Sequence, residues 1–274
     1  MSGYKVILAV LTDPESATST LDLAFAVAKD HGAAVEALNV RVDPAQAVPL
    51  FGEGMSGAMI EEMLAVAERQ GAELSKALRA RFDEACARHG GAASWREEMG
   101  AEEDIVSAAG RLADLIVFPR LVADRDVPSP VTANAALLDT GRPVLLAPPK
   151  LPERVGSRVA VLWNGSPQAS RAVAFAMPFL AKAERVVVMS ADDQGAVQPA
   201  DLVAYLSRHG VSASTKTFAP GHDVVATLLN EIAAAGCDLA VMGAFTHSRL
   251  RQLILGGVTR HMLNATPLPV LLVR

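Results

Sequence analysis

Aromatic residues are scarce in this 274-residue chain: Phe, Trp and Tyr make up 4% of it, while apolar residues reach 51%. Its cores must therefore be built from aliphatic side chains and alanine. There is no basic stripe with interleaved aromatics, the footprint of a nucleic-acid binder. Cysteine is rarer still. Cys86 and Cys237 stand far apart, with neither metal-ligand nor redox spacing, which excludes a disulfide scaffold. His222, His247 and His261 also fit no metal spacing, so no metal is expected. No apolar run approaches the ~20 residues of a membrane span. No GxxxxGK[ST] loop occurs, which argues against a P-loop ATPase, and the SGGxD-type pyrophosphate loop of adenylating enzymes is missing too. At the N-terminus Lys5 precedes a six-residue apolar run, and Thr12-Asp13-Pro14 comes next in place of a cleavage site. That pattern reads as an interior strand and not a signal peptide, so a cytoplasmic protein is expected.

What the chain does have is an internal repeat. Asp114-Leu115-Ile116-Val117 matches Asp238-Leu239-Ala240-Val241 at a separation of 124, and Pro143-Val144-Leu145-Leu146 matches Pro269-Val270-Leu271-Leu272 at 126. Lys5-Val6-Ile7-Leu8 resembles Arg158-Val159-Ala160-Val161 at 153, so the first half carries about 27 extra residues in its middle. Two domains are expected, residues 1–150 and 151–274, joined by the proline-rich Pro148-Pro149-Lys150-Leu151-Pro152.

Each half alternates short Val/Ile/Leu/Ala runs with helical segments. The first reads as strands at 6–11, 34–42, 93–98, 115–118 and 144–147, with a long helical stretch over about 58–88. The second repeats the order, with strands at 159–163, 185–190, 212–218, 239–242 and 270–273. Such alternation predicts an α/β fold of two tandem doubly wound domains, each a five-stranded parallel sheet with helices on both faces. Ligands of such sheets sit outside the carboxyl ends of the strands. The closing strands 144–147 and 270–273 are expected to be exposed edges through which domains or chains pair.

Charge divides unevenly. Residues 151–274 hold 11 Lys/Arg against 8 Asp/Glu (+3), leaving 14 against 22 (−8) for residues 1–150. An anionic ligand suits the second half better. The glycines that let amides approach an anion are there as well: Gly243 at a strand end, then Gly256-Gly257 before a short helix.

Gly243-Ala244-Phe245-Thr246-His247-Ser248-Arg249-Leu250-Arg251, with Leu255-Gly256-Gly257-Val258-Thr259 shortly after, resembles the universal stress protein family. The resemblance extends over both halves, through the Asn164-Gly165-Ser166 turn, the Asp-Leu-x-Val strand and the terminal Pro-Val-Leu-Leu strand. It implies a tandem member with an adenine nucleotide alpha hydrolase-like fold. It further implies ATP across the ends of the first and fourth strands of the second half. Gly243, Thr246, His247, Ser248 and the segment Gly256, Gly257, Val258 and Thr259 would lie at the phosphates, and Asn164, Gly165 and Ser190 at the ribose and adenine. The family motif runs glycine, two residues, glycine, nine residues, glycine, then Ser or Thr. Thr246 replaces the second glycine here and Gly257 the final hydroxyl residue. Asn164 stands where many members have Asp; its amide still bonds a hydroxyl or amine but supplies no carboxylate. In the first half Pro119 replaces Gly243, Ser129-Pro130 opens the helix, and Asp124 and Asp126 add negative charge. That half is expected to have lost phosphate binding and to serve as a structural or regulatory partner.

Other signals have plainer readings. Residues 51–57 contain a formal GxGxxG, but Pro44 and its neighbours separate it from the preceding strand, so it reads as the loop that introduces the long helix. His247-Ser248 lacks an orienting third group, so no catalytic residue is assigned. Trp163 reads as packing. The expected function is a stress-response regulator that binds ATP or a related adenine nucleotide, more a binding protein than an enzyme. Its expected associations are an intramolecular pseudo-dimer or homodimer and an unidentified protein partner, with neither nucleic acid nor membrane. The alternatives are a nucleotide-free interaction module and a weak ATPase.

Overall fold

The computed structural model describes residues 3–44, 56–121, 130–191, 197–219, 224–244, 262, 264 and 266–274. The first five strands are β1 (Val6–Leu11), β2 (Ala34–Arg41), β3 (Ala93–Met99), β4 (Leu115–Pro119) and β5 (Val144–Ala147). Between them run α1 (Pro14–His31), α2 (Gly57–His89), α3 (Glu102–Gly110) and α4 (Pro130–Leu138). The second half supplies β6 (Arg158–Leu162), α5 (Pro167–Leu180), β7 (Arg185–Ala191), α6 (Pro199–Arg208) and β8 (Ala213–Phe218). It ends with α7 (Val224–Ala234), β9 (Leu239–Gly243) and β10 (Val270–Val273).

Helix starts reflect local chemistry. Asp13 caps α1 by accepting the Glu15 and Ser16 amides at 3.0 Å, with Pro14 in the first turn. Ser166 does the same for α5, taking the Ala169 amide at 3.1 Å ahead of Pro167. A side-chain acceptor satisfies amides the helix cannot, and proline gives up a hydrogen that had no partner there. Ser56, near the end of the formal GxGxxG, accepts the Met59 amide at 3.4 Å and caps α2; residues 51–55 lie outside the described residues.

All ten strands form one sheet in the order β3-β2-β1-β4-β5-β10-β9-β6-β7-β8. Each group of five is parallel throughout. The groups meet where β5 and β10 run antiparallel, Leu145 opposite Leu271. The closing strands are therefore not left exposed, against expectation, but the two halves do pair through them, as expected. They are buried throughout and satisfy each other's backbone groups. The outer edges are β3 and β8, whose Arg96, Glu97, Glu98 and Lys216 discourage further apolar pairing.

Strand register corrects the repeat by one residue. The Asp114 carboxylate accepts the Lys5 and Val6 amides at 2.8 and 3.0 Å, and Asp238 accepts those of Gly156 and Arg158 at 2.9 and 3.1 Å. The Asp114 amide in turn donates to Val6 O and the Asp238 amide to Arg158 O. Val6 thus corresponds to Arg158, one residue off the alignment that equated Lys5 with Arg158. The capping residues Asp13 and Ser166 still correspond as the sequence suggested. One extra residue therefore lies between Arg158 and the Ser166 cap, on a path where Gly165 takes a left-handed φ of 69°. The aspartate of the repeated Asp-Leu-x-Val motif is a backbone clamp.

Alternate strand residues feed opposite faces, as the pleat requires. Ile7, Ala9 and Leu11 join one core with α1, α2, α5 and α6; Leu8 and Val10 join the other with α3, α4 and α7. Each core runs through both halves. Across the junction Tyr4 Oη donates to Phe175 O at 2.7 Å, and Lys182 Nζ bonds Asp30 O. His31 lies edge-on to Tyr4 and Phe179, its Nδ1 without a hydrogen-bond partner. Burial, then Lys182 and Lys5, pull its pKa down from 6.5 to about 4, against the opposing effect of Asp30.

Candidate functional site

In each half the strand order reverses beside the first strand, between β1 and β4 and between β6 and β9, which opens a crevice at the carboxyl ends. In the second half Leu162 pairs with Met242 on one side and Met189 on the other. The Trp163–Gly165 turn, Ser190 and Gly243 therefore leave three adjacent strands at one level. Asn164 Oδ1 accepts the Ser166 amide at 3.2 Å, which leaves the Nδ2 end of this exposed side chain as a donor. Ser190 is buried. Trp163 is packing, as expected: it is 7% exposed and its indole donates to Val197 O at 3.0 Å.

Gly243 has a structural demand that the sequence did not reveal. A Cβ there would lie 2.5 Å from Ala169 N and 2.6 Å from Gln168 C, both backbone atoms in the first turn of α5. Only glycine lets that turn approach the end of β9. The other expected phosphate residues, Thr246, His247, Ser248, Gly256, Gly257, Val258 and Thr259, lie outside the described residues, as do Asp124 and Asp126 of the first half.

The first half holds a cavity of about 340 Å³ over the carboxyl ends of β1 and β2. Its floor is Val10, Leu11 and Thr12 from the first strand and its exit, with Asn39, Val40 and Arg41 from the second. Ala67, Gln70, Gly71 and Leu74 of α2 form one wall. Glu102 and Val106 of α3, with Thr132 of α4, form the other. The size falls within the range of about 300–1,000 Å³ common for small-molecule pockets.

Two residues that line this cavity each carry a buried donor with no partner. Asn39 is 2% exposed and its Nδ2 makes no hydrogen bond; Arg41 Nε is likewise buried and unpaired. An orphaned buried polar group costs about 1–3 kcal/mol, so each stands out. The acidic groups nearby are engaged. Glu97 faces Arg41 Nη1 at 3.6 Å and accepts the Ser75 hydroxyl at 2.6 Å, tying α2 to the sheet. Glu102 bonds the Thr132 hydroxyl and sits in the first turn of α3, where amides favour negative charge. Sequence reasoning missed Asn39, Arg41 and Gly71. Two polar residues late in an apolar strand, and a glycine within a long helix, were the available signals.

Pro119 occupies the position of Gly243: it pairs with Ala147 as Gly243 pairs with Val273. Residues 204–274 match the Universal stress protein family model. The match begins within α6 and includes β9, β10 and the glycine-bearing segment between them. The whole chain also shares the fold of solved universal stress proteins. One from Archaeoglobus fulgidus superimposes with a TM-score of 0.69 at 16% identity, covering 98% of each chain. A functionally unknown protein from Pseudomonas aeruginosa gives 0.58 at 13% identity, covering 99% of this chain and 93% of that one. A putative universal stress protein from the same species gives 0.56 at 12%, covering 99% and 94%. At such identities the likeness establishes fold alone. No curated protein matches the chain in sequence. Among the described residues, no helix is long and apolar enough to cross a membrane, and no group of three or more His, Cys, Asp or Glu could hold a metal ion.

Proposed function

We propose that this chain is a tandem universal stress protein, residues 1–150 and 151–274 forming its two domains, and that the second domain binds ATP or a related adenine nucleotide as a regulatory ligand. The observation that carries this reading is the convergence, at one crevice, of the Asn164-Gly165 turn and Gly243, from which the chain runs into the Thr246 to Thr259 segment. Glycines there allow amides near an anion, the half is net positive, and the family match covers the segment. Asn164 Nδ2 can donate to a ring nitrogen or a hydroxyl oxygen of the nucleotide. In this reading the nucleotide is a bound regulatory ligand and not a substrate.

Calorimetry with ATP and AMP on the intact chain and on Gly256→Val tests the proposal. Micromolar ATP affinity that falls at least tenfold in the variant supports it. A folded protein giving no heat with either nucleotide turns the reading to a nucleotide-free interaction module.

A further inference from the structure

The cavity of the first half is a feature the nucleotide reading leaves unused. Three observations set its ligand preference. First, Asn39 Nδ2 and Arg41 Nε are buried donors with nothing to donate to. They lie on the same strand, two residues apart, and both line the cavity. A ligand satisfying them must present acceptor oxygens. Second, much of the lining is apolar: Val10, Leu11 and Val40 below, Ala67, Leu74 and Val106 beside, with Gln70, Glu102 and Thr132 among them. Third, the charge is unfavourable for an anion. Glu102 lines the cavity, Glu97 already pairs with Arg41 at 3.6 Å, and the first half as a whole is acidic. A nucleotide would bring several more negative charges, and Pro119 offers no amide hydrogen to receive them.

We infer that the cavity between the carboxyl ends of β1 and β2 and helix α2 is a binding site for a small uncharged ligand with an apolar body and a carbonyl-type acceptor, read by Asn39 and Arg41. Glu97 positions Arg41 from its Nη1 side, which leaves the Nε side for the ligand. Gly71 deepens the wall, since a Cβ at that position would come 3.9 Å from Arg41 Nε.

The test is ligand-detected NMR and thermal shift on the intact chain, with γ-octalactone as the uncharged probe and octanoate and ATP as anionic probes. Asn39→Leu keeps the side-chain volume and removes the orphaned amide. Gly71→Leu adds bulk from a partly exposed helix position and leaves the buried core untouched. The expected result is saturable γ-octalactone binding that weakens at least tenfold in both variants, with octanoate at least tenfold weaker in the parent. Asn39→Leu should also melt at or above the parent temperature. The inference is overturned if γ-octalactone does not bind the folded parent, or if binding survives in Gly71→Leu. It is also overturned if octanoate or ATP binds with equal or greater affinity and is displaced by the same variants. ATP binding lost in Gly256→Val but kept in Gly71→Leu belongs to the second-half reading and leaves this one standing on its own probe.

Discussion

The two halves of this sheet share a topology and differ at the same place, the carboxyl ends of their first two strands. In the second half a ten-residue helix, α6, comes after β7, and the path from Arg158 to the Ser166 cap is one residue longer than that from Val6 to Asp13, turning on Gly165. In the first half a 33-residue helix, α2, takes the place of α6. Only Ser75, Leu78, Phe82 and Ala85 of α2 are buried, all in its second half. The added turns therefore contribute little to the core, and residues 67–74 stand as a wall over the ends of β1 and β2. At the fourth strand the contrast is Pro119 against Gly243. Among the described residues one half carries the glycine and the other the walled cavity. A duplicated fold can thus retain its scaffold while its two crevices diverge in chemistry, because the scaffold rests on buried strands and the crevice on the turns and helices that leave them.

The sharpest way to break that contrast is Gly243→Val. The new side chain would collide with the backbone at Gln168 and Ala169, and no rotamer relieves that. Equilibrium unfolding should show a loss of about 3 kcal/mol or more. Pro119→Gly, the mirror substitution, should cost much less, since among the described residues nothing at that end of the sheet depends on proline.

The junction of the halves gives the second prediction. The folded pKa of His31 is about 4 against an ordinary 6.5, so between those values the unfolded chain binds a proton that the folded chain does not. Its contribution is fully present above pH 6.5 and is lost as pH falls toward 4. Melting temperature measured across that range should fall more steeply in the parent than in His31→Gln. Equal slopes would show that the His31 imidazole is not held neutral at the junction.

Gly165→Ala should destabilise by about 1 kcal/mol, because alanine resists the left-handed φ and its Cβ would lie 3.3 Å from Val197 O. Thr12→Ala, at the shorter turn of the first half, should change stability less. Smallest, Tyr4→Phe removes one cross-half hydrogen bond and should cost about 1 kcal/mol or less, read from denaturant midpoints.

Much of the fold was legible in the sequence. The β1, β5 and β10 boundaries were read without error, and the long helix expected over about 58–88 spans Gly57–His89. Buried parallel strands announce themselves as short apolar runs, and helices as the polar-faced segments between them. The start of α1 falls within Thr12-Asp13-Pro14, which the sequence reading weighed only against a cleavage site. The repeat was found but misaligned by one residue, since Lys5 and Arg158 match in type while backbone pairing equates Val6 with Arg158. Of the expected site residues, Asn164, Gly165, Ser190 and Gly243 do emerge at one crevice. The cavity residues were illegible. Asn39, Gly71 and Glu102 come from three elements, and nothing local marks them as neighbours.

The sequence by itself determined the alternation of strand and helix, the duplication and the helix caps, because each depends on side chains within a few residues of one another. Tertiary structure alone decided three things. It chose the partner of each closing strand, β5 with β10 within one sheet, it demanded glycine at 243 so that α5 could approach, and it laid α2 over the two unpaired donors of β2. All three arise from contacts between segments distant in the chain, where backbone hydrogen bonding and close packing, not local preference, choose the partner.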